Sequence, residues 1–496
     1  LEAASAPQGW LTTILDALAS RPGSEVRLGI AVSPRTLEEL ADMSDGFTRE
    51  SADDDDSAPA VARGARAVVQ GLRGLVASER AQPLLVPYAF ADLPTIADDL
   101  DRMQGQLVQA EEVYRSRLAI TPDRAWIFPP AGRVDRRTLD DLRALGAGAS
   151  TFVRADALEA PDPADPGCPA AFEGATYTCP AVIETATEST RAYVLDATLQ
   201  RRLADLVATG GRVALQRVFA ELAMIWDELP GTANRIVPIV LPAAWNPPPR
   251  DARLMVRTLA RAPWLATSTP EEGVRSDAGA ASRSIVAELP PTLLAQPTYD
   301  ATVDAARDRL ESFALMEPPA ETVTRLRRDL LVAHNRTWAT DAALLDDGLE
   351  YARGVQEEVD RSFEQINMGG ELDVTLTSRA GEVPLVLFND TGHDVTLRIN
   401  FDWSDLGLDI TPETLERTFP PGASRLPVEA AARASGIIRV RATVATPDGV
   451  EIDQRVISIR STEFNEIALA ITIGALSFLV LFYAFRGLRR RRIAAA

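Results

Sequence analysis

The sequence predicts a multidomain α/β plus all-β protein: a (β/α) barrel, a helical segment, an immunoglobulin-like β-sandwich and one C-terminal transmembrane helix. Three observations carry this. Up to about residue 270 short apolar runs alternate with helical spacing, then the period is wholly helical, and from residue 371 it becomes two. A stretch with no charged residue, Ile467–Phe485, lies near the end of the chain.

The candidate strands of the first region are Val26–Val32, Leu84–Ala89, Ala125–Phe128, Ser150–Val153, Ala192–Leu195 and Ile236–Leu241, with Trp264–Ala266 a weaker last one. Helical spacing fills the gaps, over Arg35–Met43, Ala62–Ser78, Asp92–Arg117, Arg136–Leu145, Thr198–Val207, Val213–Glu228 and Asp251–Arg261. Asp135 stands where a cap is wanted, and Asp92 with Pro94 supplies a cap and a first-turn proline. Such alternation builds a parallel sheet covered by helices, and its length over residues 10–270 suits a barrel better than an open sheet.

Residues 271–298 have Gly, Ser and Pro but no period, and read as a linker. Val303, Ala306, Leu310 and Phe313, then Leu326, Leu330 and Ala333, recur at three- and four-residue steps. Residues 299–368 are therefore a helical segment, broken at Pro318-Pro319 and stopped by Gly369-Gly370. Over 371–461, runs such as Val383–Phe388, Val395–Phe401 and Ile437–Val444 are joined by turns at Asn389-Asp390, Pro421-Gly422 and Asp448-Gly449, the pattern of a β-sandwich.

At about 1.5 Å per residue, 467–485 spans roughly 28 Å, the thickness of a bilayer's hydrocarbon core. Glu463 and Glu466 precede it; Arg486 and Arg489 to Arg492 follow in the tail 486–496. Arginine excess marks the cytoplasmic end, so a single-pass membrane protein is expected, with its bulk extracytoplasmic and its C-terminus cytoplasmic. That location calls for a signal peptide ahead of Leu1. Outside the membrane, Cys168 and Cys179 read as a disulfide whose short loop contributes roughly 2–3 kcal/mol, two unrelated thiols being the alternative.

The formal net charge is −20, and with five arginines beyond the apolar segment the outer body is more acidic still. Such a surface repels phosphate backbones and argues against nucleic acid as a partner. Every basic residue is arginine, which excludes Schiff-base lysines, Walker-type phosphate loops and lysine bases. His334 and His393 both lie outside the barrel region, so a Ser-His-Asp triad or a His-based zinc site would need them brought to its mouth. No cofactor and no metal is implied; Asp53 to Asp56 lack the alternate spacing of a calcium loop and read as solvated.

Carboxylate and aromatic chemistry remains, at the C-terminal ends of the barrel strands. Tyr88 and Asp92 follow one strand, Pro129, Pro130 and Gly132 the next, and Asp156 a third, while Asp196 and Trp245-Asn246 follow later ones. Asp92 and Asp196 as acid and base, about 5–9 Å apart, would cleave a glycosidic bond, with Tyr88, Trp245 and Asn246 holding the sugar. Both aspartates also precede helices, where capping is the commoner use, and Trp245 beside three prolines reads equally as cover for the rim.

Leu28–Pro34, Val86–Asp92, Trp126–Gly132 and Trp245–Pro247 with Ala262–Leu265 carry a resemblance. So do Leu376–Arg379, Val383-Pro384, Asn389-Asp390 and Thr446–Gly449 before Ile459–Ser461. In them, from about Trp10 to the apolar segment, the chain resembles the actinobacterial membrane-anchored envelope proteins of the DUF6049 family. The resemblance implies a barrel related to glycoside hydrolase/deacetylase barrels, a C-terminal sandwich, one membrane span and a role in envelope biogenesis near a lipid II flippase. This sequence departs from the pattern: Ser33 stands where related sequences carry Asp, and Phe90-Ala91-Asp92 replaces an Asp-Pro-Asp-like run. The His-x-x-x-His pair of metal-dependent deacetylases is missing too. The expectation is a non-catalytic envelope protein that binds a cell-wall glycan, or lipid II flippase-associated or other proteins of the cell-wall machinery. The alternative is a carbohydrate-active hydrolase using Asp92 and Asp196.

Overall fold

The computed structural model describes residues 2–5, 9–20, 23–45, 58–97, 99–159, 176, 178–232, 234–242, 245–276, 281–370, 373–376, 378–403, 407–433, 436–461 and 466–493. Asp53 to Asp56 and Cys168 fall outside them. The chain divides into two compact units, Leu1–Ala301 with Arg328–Tyr351, and Thr302–Arg327 with Ala352–Ala496. The expected helices form over Pro297–Ala314, Ala320–Val332 and Leu345–Glu364, but this segment is divided between the units rather than standing as a third.

The first unit holds seven strands: β1 (Leu28–Ile30), β2 (Ala81–Leu85), β3 (Asp123–Ile127), β4 (Ser150–Arg154), β5 (Ala181–Glu184), β6 (Ser189–Leu195) and β7 (Ala281–Ser282). Their order is β1-β2-β3-β4-β6-β5-β7. β1 to β4 and β6 are mutually parallel, while β5 runs antiparallel to β6. The strands are buried on both faces, and their alternation sorts side chains into two layers. Leu84, Trp126, Phe128, Phe152, Tyr193 and Leu195 form an inner aromatic layer, in which the Trp126 and Tyr193 rings stack at 5.9 Å. Leu85, Ile127, Val153 and Val194 turn the other way into the outer clusters of the unit.

Ile236–Leu241, expected as a strand, lies in a run of extended chain, 235–242, without a ladder. Pro238 and Pro242 remove two of its donors. It keeps a strand's alternation, Ile236 and Val240 lying on the aromatic layer, Val237 and Ile239 on the neighbouring cluster. Trp264–Ala266 forms no strand either. Among the described residues no ladder joins β7 to β1, and the run 235–242 helps to cover the inner face of the sheet. The expected linker is part of the fold: β7 pairs with β5, and Ile285, Leu289 and Leu294 are buried.

The second unit contains the sandwich. β14 (Thr414–Phe419), β12 (Val395–Trp403), β17 (Gly436–Ala445), β18 (Glu451–Ser461) and β9 (Asp373–Leu376) make a five-stranded sheet in that order. β15 (Gly422–Leu426), β11 (Leu385–Asn389) and β8 (Ile366–Gly370) make one small sheet; β10 (Ala380–Glu382), β16 (Glu429–Ala432) and β13 (Leu408–Thr411) make another. Alternation again decides the faces: Val395, Leu397 and Ile399 of β12 and Ile438, Val440 and Ala442 of β17 are buried.

The segment 467–485 lies in a helix, Glu466–Ile493. Among the described residues no helix is long and apolar enough to cross a membrane. The described side chains of this one, 471–484, are all exposed.

Candidate functional site

The loops that follow β2, β3, β4 and β6 meet at one end of the parallel sheet. Val86 to Asp92 continue from β2, and the Phe128 N–H donates to the Leu85 carbonyl at 2.8 Å, carrying the β2–β3 pairing one step past β3. Pro129 to Arg133 then turn sharply. Gly132 has φ +66°, and a Cβ there would lie 2.7 Å from Leu195 Cδ1, so only glycine fits the turn.

Asp92 is fully buried at this end. Its Oδ1 accepts from Arg133 Nε and from Arg336 Nη1, both at 3.0 Å, and its Oδ2 accepts from the Thr292 hydroxyl at 3.2 Å. Its backbone N–H donates to the His334 carbonyl at 3.0 Å. Burial holds the Arg336 guanidinium below its ordinary pKa, against the pull of Asp92; Arg133 and Arg154 push it the same way as burial. The carboxylate is thus a buried anion between two cations, with none of its oxygens facing solvent.

Tyr88 is fully buried as well. Its hydroxyl donates to Glu38 Oε2 at 2.5 Å, and Glu38 Oε1 pairs with Arg328 at 3.0 Å. Burial, and then the Glu38 carboxylate, push the phenol far above its usual pKa. The ring therefore offers no surface on which a sugar stacks. Trp245 is only 5% exposed and packs with Leu199, Leu203, Leu222 and Met255, so it too is core rather than platform; Asn246 beside it is exposed.

Asp196 caps the helix Ala197–Thr209, accepting from the Leu199 N–H at 2.7 Å. Asp156 is held by Arg154, one bond measuring 2.9 Å. The paired carboxylates needed for glycosidic cleavage are accordingly one cation-clamped aspartate and one helix cap. Among the described residues no cluster of His, Cys, Asp or Glu is arranged to hold a metal.

Sequence reasoning missed Glu38, Arg133, Arg328, Arg336 and Thr292, the residues that occupy both candidates. The segment 328–351 rejoins the first unit and lies along the strand ends. The Arg336 N–H donates to the Phe90 carbonyl at 3.1 Å and the Gln106 amide to the Leu331 carbonyl at 2.9 Å. No local pattern joins Asp92 to a cation 244 residues away.

The chain is thus an α/β sheet protein with a sealed strand mouth and an appended β-sandwich. It belongs to DUF6049, a family of unknown function, which it matches over residues 125–496. Among solved structures it is similar to a GH57 branching enzyme from Thermococcus kodakaraensis, at 14% identity over 73% of this chain and 85% of that one, with a TM-score of 0.49. It is also similar to a 4-α-glucanotransferase from Thermococcus litoralis, at 9% identity over 89% and 81%, TM-score 0.46. A member of the MSP family from C. elegans matches 20% of this chain with 99% of its own length, at 10% identity and TM-score 0.17. Likenesses at this level say nothing of what the chain acts on. None of the curated proteins matches the sequence.

Proposed function

We propose that this protein is a single-pass, membrane-anchored envelope protein that binds a cell-wall glycan, or a protein of the cell-wall biogenesis machinery such as a lipid II flippase partner, without chemical turnover. The observation that carries the reading is the engagement of the fully buried Asp92 carboxylate by Arg133, Arg336 and Thr292. An acid or base must reach the substrate within hydrogen-bond distance, and Asp92 has no path to one. The aromatic side chains of the inner layer are themselves packed core. In this reading 467–485 is the membrane span, the bulk is extracytoplasmic, the arginine tail is cytoplasmic, and Cys168 and Cys179 form a disulfide. Purified protein incubated with peptidoglycan and arabinogalactan fragments is expected to release no reducing ends, while capture from native membranes recovers a wall-machinery partner or glycan. Reducing ends that appear with the protein and vanish with Asp92→Asn would overturn it.

A further inference from the structure

One face of the five-stranded sheet in the second unit carries charge opposite to the protein as a whole. Arg439 and Arg441 on β17 and Arg460 on β18 are exposed and have no ion-pair partner among the described residues. Three other sandwich arginines are paired: Arg398 with Glu416, Arg433 with Asp409, Arg455 with Asp453. The register sets Ile437 opposite Arg460, Arg439 opposite Ser458 and Arg441 opposite Val456. Arg439 therefore lies about 7–8 Å at the backbone from each of the other two, and Arg441 and Arg460 stand about 14 Å apart on either side of it. Ile437 and Val456, at 58% and 50% exposure, stand among them. The carboxylates of the same face are Asp402, opposite Arg441, Asp373 at the edge, opposite Ser458, and Glu416 on β14, which is paired with Arg398. In a chain of net charge −20, three unpaired cations around two exposed apolar side chains are a local reversal.

The patch is also placed near the end of the sandwich. Arg460 precedes the helix Glu466–Ile493 by six residues, at most about 20 Å of chain. An acidic body held that close to an anionic bilayer is repelled unless the face nearest the surface is basic. We propose that the β17–β18 face rests on the anionic headgroups of the bilayer that this helix enters; the inference rests on the membrane reading of 467–485. Each arginine near such a surface favours contact about fivefold, so the three together amount to on the order of a hundredfold at low salt, fading beyond a Debye length of about 10 Å. The exposed Ile437 and Val456 add apolar contact at the headgroup boundary.

The test uses the full chain reconstituted into phosphatidylglycerol-rich or pure phosphatidylcholine vesicles, with arginine modification by phenylglyoxal read by mass. Insertion is scored separately, as a protease-protected C-terminal fragment. Arg439, Arg441 and Arg460 are expected to react at least fivefold more slowly in the anionic vesicles, the difference vanishing at high salt, while exposed Arg425 on β15 reacts alike in both. The triple variant Arg439→Glu, Arg441→Glu, Arg460→Glu, all at exposed positions, is expected to leave the unfolding midpoint in place and to remove the lipid dependence of contact, read by hydrogen exchange along β17 and β18. A protected fragment with arginines equally reactive in both lipids overturns the proposal and leaves the membrane reading standing. No protected fragment overturns both.

Discussion

Asp92→Asn removes one charge and almost no volume, and its effect distinguishes a clamp from a catalyst by sign. In the clamp, Arg133 and Arg336 each lie 3.0 Å from Oδ1 and are themselves largely covered, with side-chain exposures of 12% and 22%. Breaking a buried ion pair from one side costs about 3–5 kcal/mol, because the remaining charge keeps its desolvation cost and loses its partner. Asparagine still accepts one hydrogen bond and Arg133 retains the Pro290 carbonyl, so the low end, about 3 kcal/mol, is expected. At a urea slope of about 3 kcal/mol/M that is a midpoint shift of roughly 1 M, readable by tryptophan fluorescence. Arg336→Gln alone should cost less, and the double variant should show a coupling of about 1–3 kcal/mol. A catalytic carboxylate behaves in the opposite way, its removal abolishing activity and leaving stability unchanged or raised. An Asp92→Asn protein as stable as the wild type would refute the clamp.

Asp196→Ala should cost about 1 kcal/mol by loss of the cap on Leu199 and alter no binding, checked by urea titration and glycan pull-down. Gly132→Ala should destabilise by more than about 1 kcal/mol in the same titration, since it combines a positive φ with a Cβ driven into Leu195. The Glu272 carboxylate is held below its ordinary range by the Thr269 N–H first, with Arg27 adding to it. Its stabilisation is present above the unfolded glutamate value near 4.3 and is lost as pH falls through the lower folded value, so Glu272→Gln should flatten the acid limb of a pH–stability curve. If Cys168 and Cys179 are joined, alkylation should add mass only after reduction, and reduction should lower stability by roughly 2–3 kcal/mol.

The parallel strands and their helices were legible in the sequence because strands buried on both faces leave unbroken apolar runs, as at Leu84–Val86 and Tyr193–Leu195. β7 was not legible: two residues, Ala281 and Ser282, carry no pattern, and their pairing is decided by the edge that β5 offers. Ile236–Leu241 looked like a strand because its side chains alternate, yet Pro238 within it and Pro242 just after it withhold the donors a ladder needs. At the candidate site the positions of Tyr88, Asp92 and Asp196 were correctly located at strand ends, but their engagement was not. Exposure and partners are tertiary facts, and the cations that occupy Glu38 and Asp92, Arg328 and Arg336, come from a segment whose own pattern is that of an ordinary amphipathic helix and turn.

The 244-residue separation between Asp92 and Arg336 has a consequence for synthesis. At about 5–20 residues per second, the aspartate leaves the ribosome roughly 12 to 50 s before its second cation exists. During that interval the nascent sheet carries an anion it cannot yet neutralise in full, and any fragment that stops at residue 301 inherits the same defect permanently. The first unit is therefore best produced from the whole chain, and a shortened version that aggregates would be reporting a missing guanidinium rather than an unstable sheet.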